Sequence, residues 1–357
     1  MSTRFSSWQG SLRGAPGTQK ENVQSKPGAK EKRSALGDIS NRSQVSGFGG
    51  AKKQGPAKPS FQIQAEVAPA PRCDALAIHF TPVTEIDRVD ANDILNPKYA
   101  AEYVGEIYDN YKSIELKYHP SSNYMDIQTD INEKMRAVLI DWLVQVHAKF
   151  ELLPQTLYLT VNLLDRFLER KVVPRRKFQL VGCACMLLAS KYEEIYAPVC
   201  QDFVSMSDNA FSIEDLLKME GVLLNVLGFC LTCPSPYTFL RRFMKVACSH
   251  AETQHFATYL IERSLQEYEL LTMSPSLLAS ASLYIAQSLT DDSKNWGSTV
   301  VRHSGYSEED LMEPVSMIKE MYSSSNQQSN SLNAVFKKYS SSKFMSVATI
   351  PLEGPYQ

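Results

Sequence analysis

The sequence of 357 residues contains no long uninterrupted run of apolar residues. Its first ten residues, MSTRFSSWQG, lack the apolar core of a secretory signal, and we expect no such signal here. Two stretches without charge, 221–240 and 270–290, are long enough to be considered as membrane spans. Neither supplies the roughly 20 predominantly apolar residues that a spanning helix needs, because the first contains two prolines and the second is rich in Ser and Thr. The sequence therefore predicts no membrane association.

Cysteine is scarce and follows no metal-binding pattern. The seven cysteines are an odd number, and most of them fall within apolar helical patterns. This is typical of reduced thiols that serve as small core residues in an intracellular protein. Cys230 and Cys233 form a Cys-x-x-Cys pair, but no second Cys pair or His pair follows at zinc spacing. We predict no metal site.

Enzymatic signatures are also missing. The segment GFGGAKK at 47–53 resembles neither a phosphate-binding loop nor a dinucleotide fingerprint. The six histidines are scattered, and no Ser/His, Cys/His or paired-carboxylate arrangement stands out. Asp141, Asp165, Glu193 and Glu194 are interpreted as charges on helix surfaces or at helix ends. We therefore expect a protein without catalysis and without a cofactor.

Glycine and basic charge are concentrated at the N-terminal end. Residues 1–60 hold 9 of the 16 glycines and 11 Lys/Arg against 3 Asp/Glu; the rest holds 26 Lys/Arg against 36 Asp/Glu. The total net charge of −2 argues against nucleic acid as a partner. Without hydrophobic periodicity, the basic end cannot bury enough surface to offset the entropy of ordering. Since prolines continue the linker, we predict a disordered basic tail over 1–84.

The rest of the chain has the pattern of an all-α protein. Apolar residues recur at helical spacing, and no Val/Ile/Thr-rich alternating segment lies between turn signals. Prolines 154, 174, 198, 234, 236 and 275 break the pattern into helices of about 10–20 residues. Ser212 and Asp215 resemble a capping box that starts one of these helices.

A weak internal repeat indicates two similar domains. Leu180–Ser190 (LVGCACMLLAS) aligns with Leu277–Gln287 (LLASASLYIAQ) at an offset of 97 residues. Helices so rich in small residues allow close neighbours on every side, which is typical of a central helix surrounded by others. The repeat predicts duplicated all-α domains of about 95 residues each.

Two charges fall on apolar helical faces. On a helical wheel Lys191 extends the stripe of Leu180 and Leu187, and Glu220 lies between Leu224 and Leu227. They can form a buried intramolecular pair, or they can flank a surface that binds a partner. The spacing leaves both interpretations open.

The segment 135–150 (MRAVLIDWLVQVHAKF) is apolar on two faces. One stripe must belong to the core; the second either meets another helix or binds a partner, since exposed apolar patches mark binding sites. The two stripes are Met135, Val138, Leu139, Trp142, Val146 and Phe150, and Ala137, Ile140, Val144 and Ala148.

The segments MRAVLIDWLVQVHAKFELLPQTLYLTVNLLDRFL, FQLVG and ASKYEEIYAP closely resemble the first cyclin box of mitotic cyclins. The resemblance covers roughly residues 85–345. It implies two tandem five-helix cyclin folds, with an N-terminal helix and first box over 85–232, a second box over 233–345 and a flexible C-terminus over 346–357. Gln145, where A-type cyclins carry Glu, favours the B-type branch.

The resemblance implies a regulatory protein that binds and activates a cyclin-dependent kinase. Lys191 and Glu220 correspond to a polar pair that hydrogen-bonds the kinase backbone. The other positions that correspond to kinase contacts are Tyr103, Ile107, Tyr192, Phe229 and Leu231. Asn110 stands where the family often has Tyr.

The resemblance also implies a docking site for other proteins. A docking patch for Arg-x-Leu motifs of substrates or inhibitors corresponds to Met135, Val138, Leu139, Trp142, Gln145 and Gln179. Because Gln145 replaces an acid, we expect weaker attraction for the arginine of the motif.

The basic tail contains two candidate degrons. Arg33-Ser-Ala-Leu36-Gly-Asp-Ile-Ser-Asn41 resembles the destruction box of mitotic cyclins, and Lys20, Glu21 and Asn22 form a KEN box. Both imply recognition by the anaphase-promoting ubiquitin ligase, which needs an accessible, extended segment. We expect the protein in the nucleus and cytoplasm, although the short basic run 30–33 does not decide the route of import.

Three alternatives remain at this point. An A-type cyclin of S and G2 phase shares the two boxes. A transcription adaptor with two cyclin folds would need a zinc ribbon and basic DNA-binding faces, which the acidic body does not offer. In a helical scaffold outside the cyclin family, Lys191 and Glu220 would form a buried intramolecular pair.

Overall fold

The computed structural model describes residues 89–290, 296–327 and 332–351. All regular structure within these ranges is helical, as α-helices and short 3-10 turns, which confirms the predicted all-α class. No helix in the described ranges has the length and apolarity to cross a bilayer. The destruction-box and KEN segments lie outside the described residues.

The described helices form an N-terminal helix and two groups of five. Helix α1 (Val104–Ile114) follows 3-10 turns that begin at Ala91. The first group consists of α2 (Glu133–Lys149), α3 (Pro154–Leu168), α4 (Arg175–Glu193), α5 (Cys200–Met206) and α6 (Ile213–Leu227). The second group consists of α7 (Pro236–Val246), α8 (Ala251–Arg263), α9 (Pro275–Leu289), α10 (Ser298–Ser304) and α11 (Glu308–Gln327), and is followed by α12 (Ala334–Tyr339).

Local sequence signals set where these helices begin. Pro154, Pro236 and Pro275 stand in the first turn of their helices, where the missing N–H would have no intrahelical acceptor. The predicted capping box starts α6: the Ser212 hydroxyl accepts from the Asp215 N–H at 3.1 Å, and the Asp215 carboxylate accepts from the Ser212 N–H at 3.1 Å.

Helices α4 and α9, which carry the predicted repeat, lie at the centre of their groups. Every residue of α4 from Leu180 to Ser190 is buried. A Cβ at Gly182 would lie 3.1 Å from the Leu139 side chain, so the glycine allows α2 to approach closely. Helix α4 packs against α3 and α6, and α9 packs against α7, α8 and α11. The prediction of two central helices is confirmed.

A buried ion pair, missed by the sequence analysis, joins α2 to α3. Arg136 donates from Nε and Nη2 to the two Asp165 carboxylate oxygens, both at 2.7 Å. The Tyr124 hydroxyl donates to the same carboxylate at 2.7 Å. The third nitrogen of Arg136 donates to the Leu265 carbonyl at 3.0 Å. The prediction of Asp165 as a surface charge is therefore wrong, and the pair also ties the two helical groups together.

The N-terminal helix is fastened to the second helical group. The Tyr108 hydroxyl donates to the Thr238 carbonyl at 3.3 Å, and Lys112 Nζ donates to the Ser304 carbonyl at 2.8 Å. Upstream of α1, the buried Asp90 carboxylate accepts two bonds from Arg242 at 2.6 and 2.7 Å. These bonds fix α1 although none of its residues is fully buried.

Residues that follow Met345 pack against the second helical group. A 3-10 turn spans Val347–Thr349, and both Val347 and Ala348 are buried. The Tyr322 hydroxyl donates to the Ile350 carbonyl at 2.6 Å. This part of the predicted flexible C-terminus is thus packed against α11.

Candidate functional site

Lys191 and Glu220 meet at the surface of the first helical group. Lys191 Nζ, near the end of α4, donates to both carboxylate oxygens of Glu220 on α6, at 2.7 and 2.9 Å. The Lys191 side chain is 44% exposed and that of Glu220 is 13% exposed. Lys191 and Glu220 therefore form an ion pair that is partly exposed to solvent rather than buried.

The loop after α6 lies next to the end of α4. The Tyr192 hydroxyl is hydrogen-bonded to the Thr232 hydroxyl. Within the loop, Phe229 is 66% exposed and Leu231 is half-buried. The structure therefore brings Tyr192 and the segment with Phe229 and Leu231 to one surface.

Apolar residues between α4 and α5 extend the exposed surface and were missed by the sequence analysis. Ile195 is 89% exposed, Tyr196 is 91% exposed and Val199 is 63% exposed. The loop is anchored by Glu194, whose carboxylate accepts from the Leu153 N–H at 2.7 Å. A helical wheel describes residues within a helix and gives no information on the loop that follows. The sequence signal for an exposed apolar loop here is the apolar content of IYAPV.

Tyr103 and Ile107 are located at the N-terminal helix. Tyr103 precedes α1 and is 58% exposed, and Ile107 is half-buried. Their helix is held to the second helical group, as described above, whereas Lys191 and Glu220 belong to the first. The structure thus places the predicted kinase contacts at the N-terminal helix and on the first helical group.

The predicted docking patch lies where α2 meets α4, and part of it is buried. Leu139 and Trp142 are only 4% and 8% exposed. Met135 and Val138 are half-buried, and the facing Gln179 has a buried Nε2 with no hydrogen-bond partner among the described residues. The open apolar area is therefore smaller than the stripe on α2 predicts. On the other stripe of α2, Ala137, Ile140 and Val144 are also buried.

Gln145 is the exposed polar residue of this patch, and a buried acid orients it. Its Nε2 donates to the Asp141 carboxylate at 3.0 Å. Asp141 also accepts from Gln266 Nε2 and from the Ala334 N–H, both at 2.9 Å. Burial raises the pKa of Asp141. The prediction of Asp141 as a surface charge is wrong, because segments from the second half of the chain cover it.

The residues considered for metal or redox chemistry do not form a cluster in the described ranges. No group of three or more His, Cys, Asp or Glu with the spacing of a metal site occurs there. Burial raises the pKa of the Cys233 thiol to about 11, so this thiol stays protonated near neutral pH. Cys230 is exposed.

The described structure is thus two five-helix groups, the first of which presents a polar pair and exposed apolar loops. The model "Cyclin, N-terminal domain" matches residues 106–232, and "Cyclin, C-terminal domain" matches residues 234–353. The chain belongs to the cyclin family.

Its relatives include several plant B-type cyclins. It is 46% identical to Cyclin-B2-1 of Oryza sativa subsp. japonica over 72% of this chain and 60% of the relative. It is 45% identical to the G2/mitotic-specific cyclin-1 of Medicago sativa subsp. varia over 73% and 60%. It is 44% identical to Cyclin-B1-4 of Arabidopsis thaliana over 75% and 68%. The match spans about 60% of the length of the first two relatives.

A solved structure has the same fold. The viral cyclin from herpesvirus saimiri superimposes with a TM-score of 0.55 at 22% identity, over 61% of this chain and 96% of that chain. These findings agree with the predicted pair of cyclin folds and with the B-type resemblance.

Proposed function

We propose that this protein is a regulatory subunit that binds and activates a cyclin-dependent protein kinase at the G2/M transition. The observation that carries the proposal is the surface around Lys191 and Glu220, which is open to solvent and flanked by exposed apolar loops. One relative is named a G2/mitotic-specific cyclin, which supports the timing. The protein itself contributes no catalytic group in this proposal.

The geometry suits recognition of another protein's backbone. Among the described residues, the Lys191 ammonium donates two hydrogen bonds, both to Glu220, so its third N–H remains for a partner carbonyl, and the carboxylate has lone pairs left for a partner N–H. Around the pair, Tyr196 and Phe229 offer apolar area whose burial is worth roughly 25 cal/mol per Å². Charge-assisted bonds inside an apolar rim combine specificity with affinity.

Substitution of the pair tests the proposal. Lys191→Ala or Glu220→Ala should weaken kinase binding about 30-fold, because truncation of a hydrogen-bonded charge in an interface costs about 2 kcal/mol or more. Far-UV helicity and melting should stay nearly unchanged, because the pair is partly solvated. Affinity is measured by calorimetry with a purified inactive cyclin-dependent kinase.

The chain offers a matched control on the same helix. Lys218 and Glu214 form an exposed ion pair on α6 at 2.8 Å, and Lys218→Ala should leave kinase affinity unchanged. If Lys191→Ala lowers the melting temperature strongly and spares affinity, the pair is structural and the proposed interface is wrong.

We further propose that the patch of α2 and α4 recruits substrates or inhibitors with Arg-x-Leu motifs. Support comes from the half-buried Met135 and Val138 on α2, and from Gln179 on the contacting helix α4, whose buried Nε2 has no hydrogen-bond partner among the described residues. A docked peptide would place its leucine on the half-buried Met135 and Val138, where burial of apolar area contributes affinity. Gln145 lies at the exposed rim.

We also propose that the anaphase-promoting ubiquitin ligase recognises residues 20–41 and targets the protein for ubiquitin-mediated destruction. The support is the sequence itself, because the KEN box and the longer destruction-box string stand together in one segment rich in Gly, Ser and Lys. Destruction would make kinase activation transient. Residence in the nucleus and cytoplasm is part of this proposal, and imaging of a fluorescent fusion through the cell cycle tests it.

A further inference from the structure

The loop after α6 contains two consecutive residues in the left-handed region. Gly228 has φ +61° and Phe229 has φ +59°. Glycine adopts this conformation freely, but for an aromatic residue it is strained and persists only when neighbouring contacts hold it. Phe229 is 66% exposed, so its side chain gains little from packing in this conformation. Other contacts must therefore hold the loop.

Two arginines at the end of α3 supply these contacts. Arg166 Nη2 donates to the carbonyl of Cys230, the residue after Phe229, at 3.0 Å, and its Nη1 donates to Asn162 Oδ1 at 3.2 Å. Arg170 Nη1 donates to the Val226 carbonyl at 3.0 Å, two residues before Gly228. The loop is thus held on both sides of Phe229.

Arg166 is an unusual residue for a purely structural role. It is 2% exposed, and among the described residues its guanidinium donates to a side-chain amide and a backbone carbonyl rather than to a carboxylate. Burial lowers its pKa, and the Tyr118 ring, 5.3 Å from its guanidinium carbon, is an additional neighbour. A buried cation without a carboxylate partner is costly. Its hydrogen bonds go to neutral acceptors, one of which belongs to the strained loop.

We propose that Arg166, assisted by Arg170, is a positioning residue for kinase binding: it holds the loop in the left-handed conformation that turns Phe229 and Leu231 toward the partner. The inference rests on the proposed function, because it assigns these two apolar residues to the kinase surface. Without the guanidinium, the loop relaxes into ordinary backbone conformations and presents Phe229 less often.

Hydrogen exchange of the unbound protein tests the positioning without a kinase. The Phe229 N–H bonds to the Leu224 carbonyl at 3.0 Å, and the Cys230 N–H bonds to the Leu227 carbonyl at 3.2 Å. In Arg166→Met, exchange of these amides should accelerate about tenfold, while peptides from α9 exchange as in the native chain. Unchanged loop exchange, or an equal acceleration in α9, would overturn the inference.

A double-mutant cycle on kinase affinity tests the functional part. Arg166→Met and Phe229→Ala should each weaken binding about tenfold, and the double variant should lose clearly less than the hundredfold product, because Arg166 acts through the loop that carries Phe229 and Leu231. Losses that multiply would contradict positioning. Arg170→Met, which changes an exposed side chain, is the second variant if Arg166→Met does not fold, and the exposed Lys171→Met is the control.

The two proposals fail in different ways. If the native chain does not bind the kinase, the proposed function is wrong, and the exchange experiment alone decides whether Arg166 holds the loop. If the native chain binds and Arg166→Met binds equally well, the proposed function stands and the positioning role is wrong.

Discussion

The orientation of the exposed Gln145 side chain is fixed by a hydrogen bond to the buried Asp141. Its Nε2 donates one N–H to the Asp141 carboxylate at 3.0 Å, so the carbonyl oxygen and the second N–H are left for a docked peptide. A carbonyl accepts a hydrogen bond from an arginine but lacks the charge of a carboxylate. The patch should therefore bind Arg-x-Leu peptides mainly through its apolar part.

Gln145→Glu should strengthen binding of an Arg-x-Leu peptide up to about fivefold, which corresponds to roughly 1 kcal/mol for an exposed ion pair. Fluorescence anisotropy with a labelled peptide measures the change. A peptide with Ala in place of the arginine is the matched control and should bind both proteins equally. Equal strengthening for both peptides would mean that charge pairing with the arginine is not the cause.

His147 is a buried titratable residue near the end of α2. It is 4% exposed, its Nε2 lies 2.9 Å from the Leu153 carbonyl, and its Nδ1 has no partner among the described residues. Burial lowers its pKa below 6.5, although the bond to Leu153 opposes this. The groups that act on its charge from neighbouring elements are Lys338, Glu262 and Glu194.

Because the folded pKa of His147 is depressed, the unfolded chain binds more protons just below pH 6.5, and the free energy of unfolding falls there with acidification. The slope is at most about 1.4 kcal/mol per pH unit. Urea unfolding at pH 7.5 and 5.5 should show a larger loss for the native chain than for His147→Gln. An identical pH dependence in both proteins would contradict this account, since Asp141 and the other groups titrate in both.

Part of the residue-scale picture could not be predicted from the sequence. A helical wheel identifies a face within one helix, and on that basis Lys191 and Glu220 were found. It does not show which distant segment covers a face. Asp141 is bonded by Gln266 and Ala334, which are 125 and 193 residues away along the chain. Asp165 is buried by its pair with Arg136.

At the scale of elements, the helices could be predicted from the sequence, whereas the geometry of the exposed loops could not. Proline positions and the Ser212 capping box located helix starts, because these signals are local. The central helices followed from their small residues. The exposed loop with Tyr196 and the strained loop with Phe229 have no periodic pattern, and their geometry depends on Glu194 and on Arg166.

The tail segment 20–41 carries a prediction of its own. Arg33→Ala combined with Leu36→Ala should lengthen the half-life of the protein in mitotic extract severalfold, because a receptor pocket loses its charged and apolar anchors. Removal of Lys20, Glu21 and Asn22 as well should lengthen it further. Immunoblots after a block of synthesis measure the decay.

The control for this experiment is Arg42→Ala, which removes a neighbouring tail charge and keeps both motifs. It should decay like the native chain. If the variant without both motifs decays at the native rate, residues 20–41 are not the degron.

At the scale of the whole molecule, the two helical groups and the N-terminal helix form one scaffold. Arg136 reaches from α2 to Asp165 and to the Leu265 carbonyl of the second group, and Asp90 ties the chain before α1 to Arg242. The scaffold thereby presents α1, the Lys191–Glu220 pair and the exposed loops in a fixed arrangement. A pre-organised surface of this kind loses less entropy on binding a partner.

The measurement that tests the central claim most directly is a protein-kinase assay. The purified chain is assayed alone and after mixing with a purified, inactive cyclin-dependent kinase, with Lys191→Ala in a parallel mixture. We predict no phosphorylation by the chain alone, strong phosphorylation in the native mixture and a reduced signal with the variant. The absence of stimulation, together with the absence of a stable complex on gel filtration, would contradict the account.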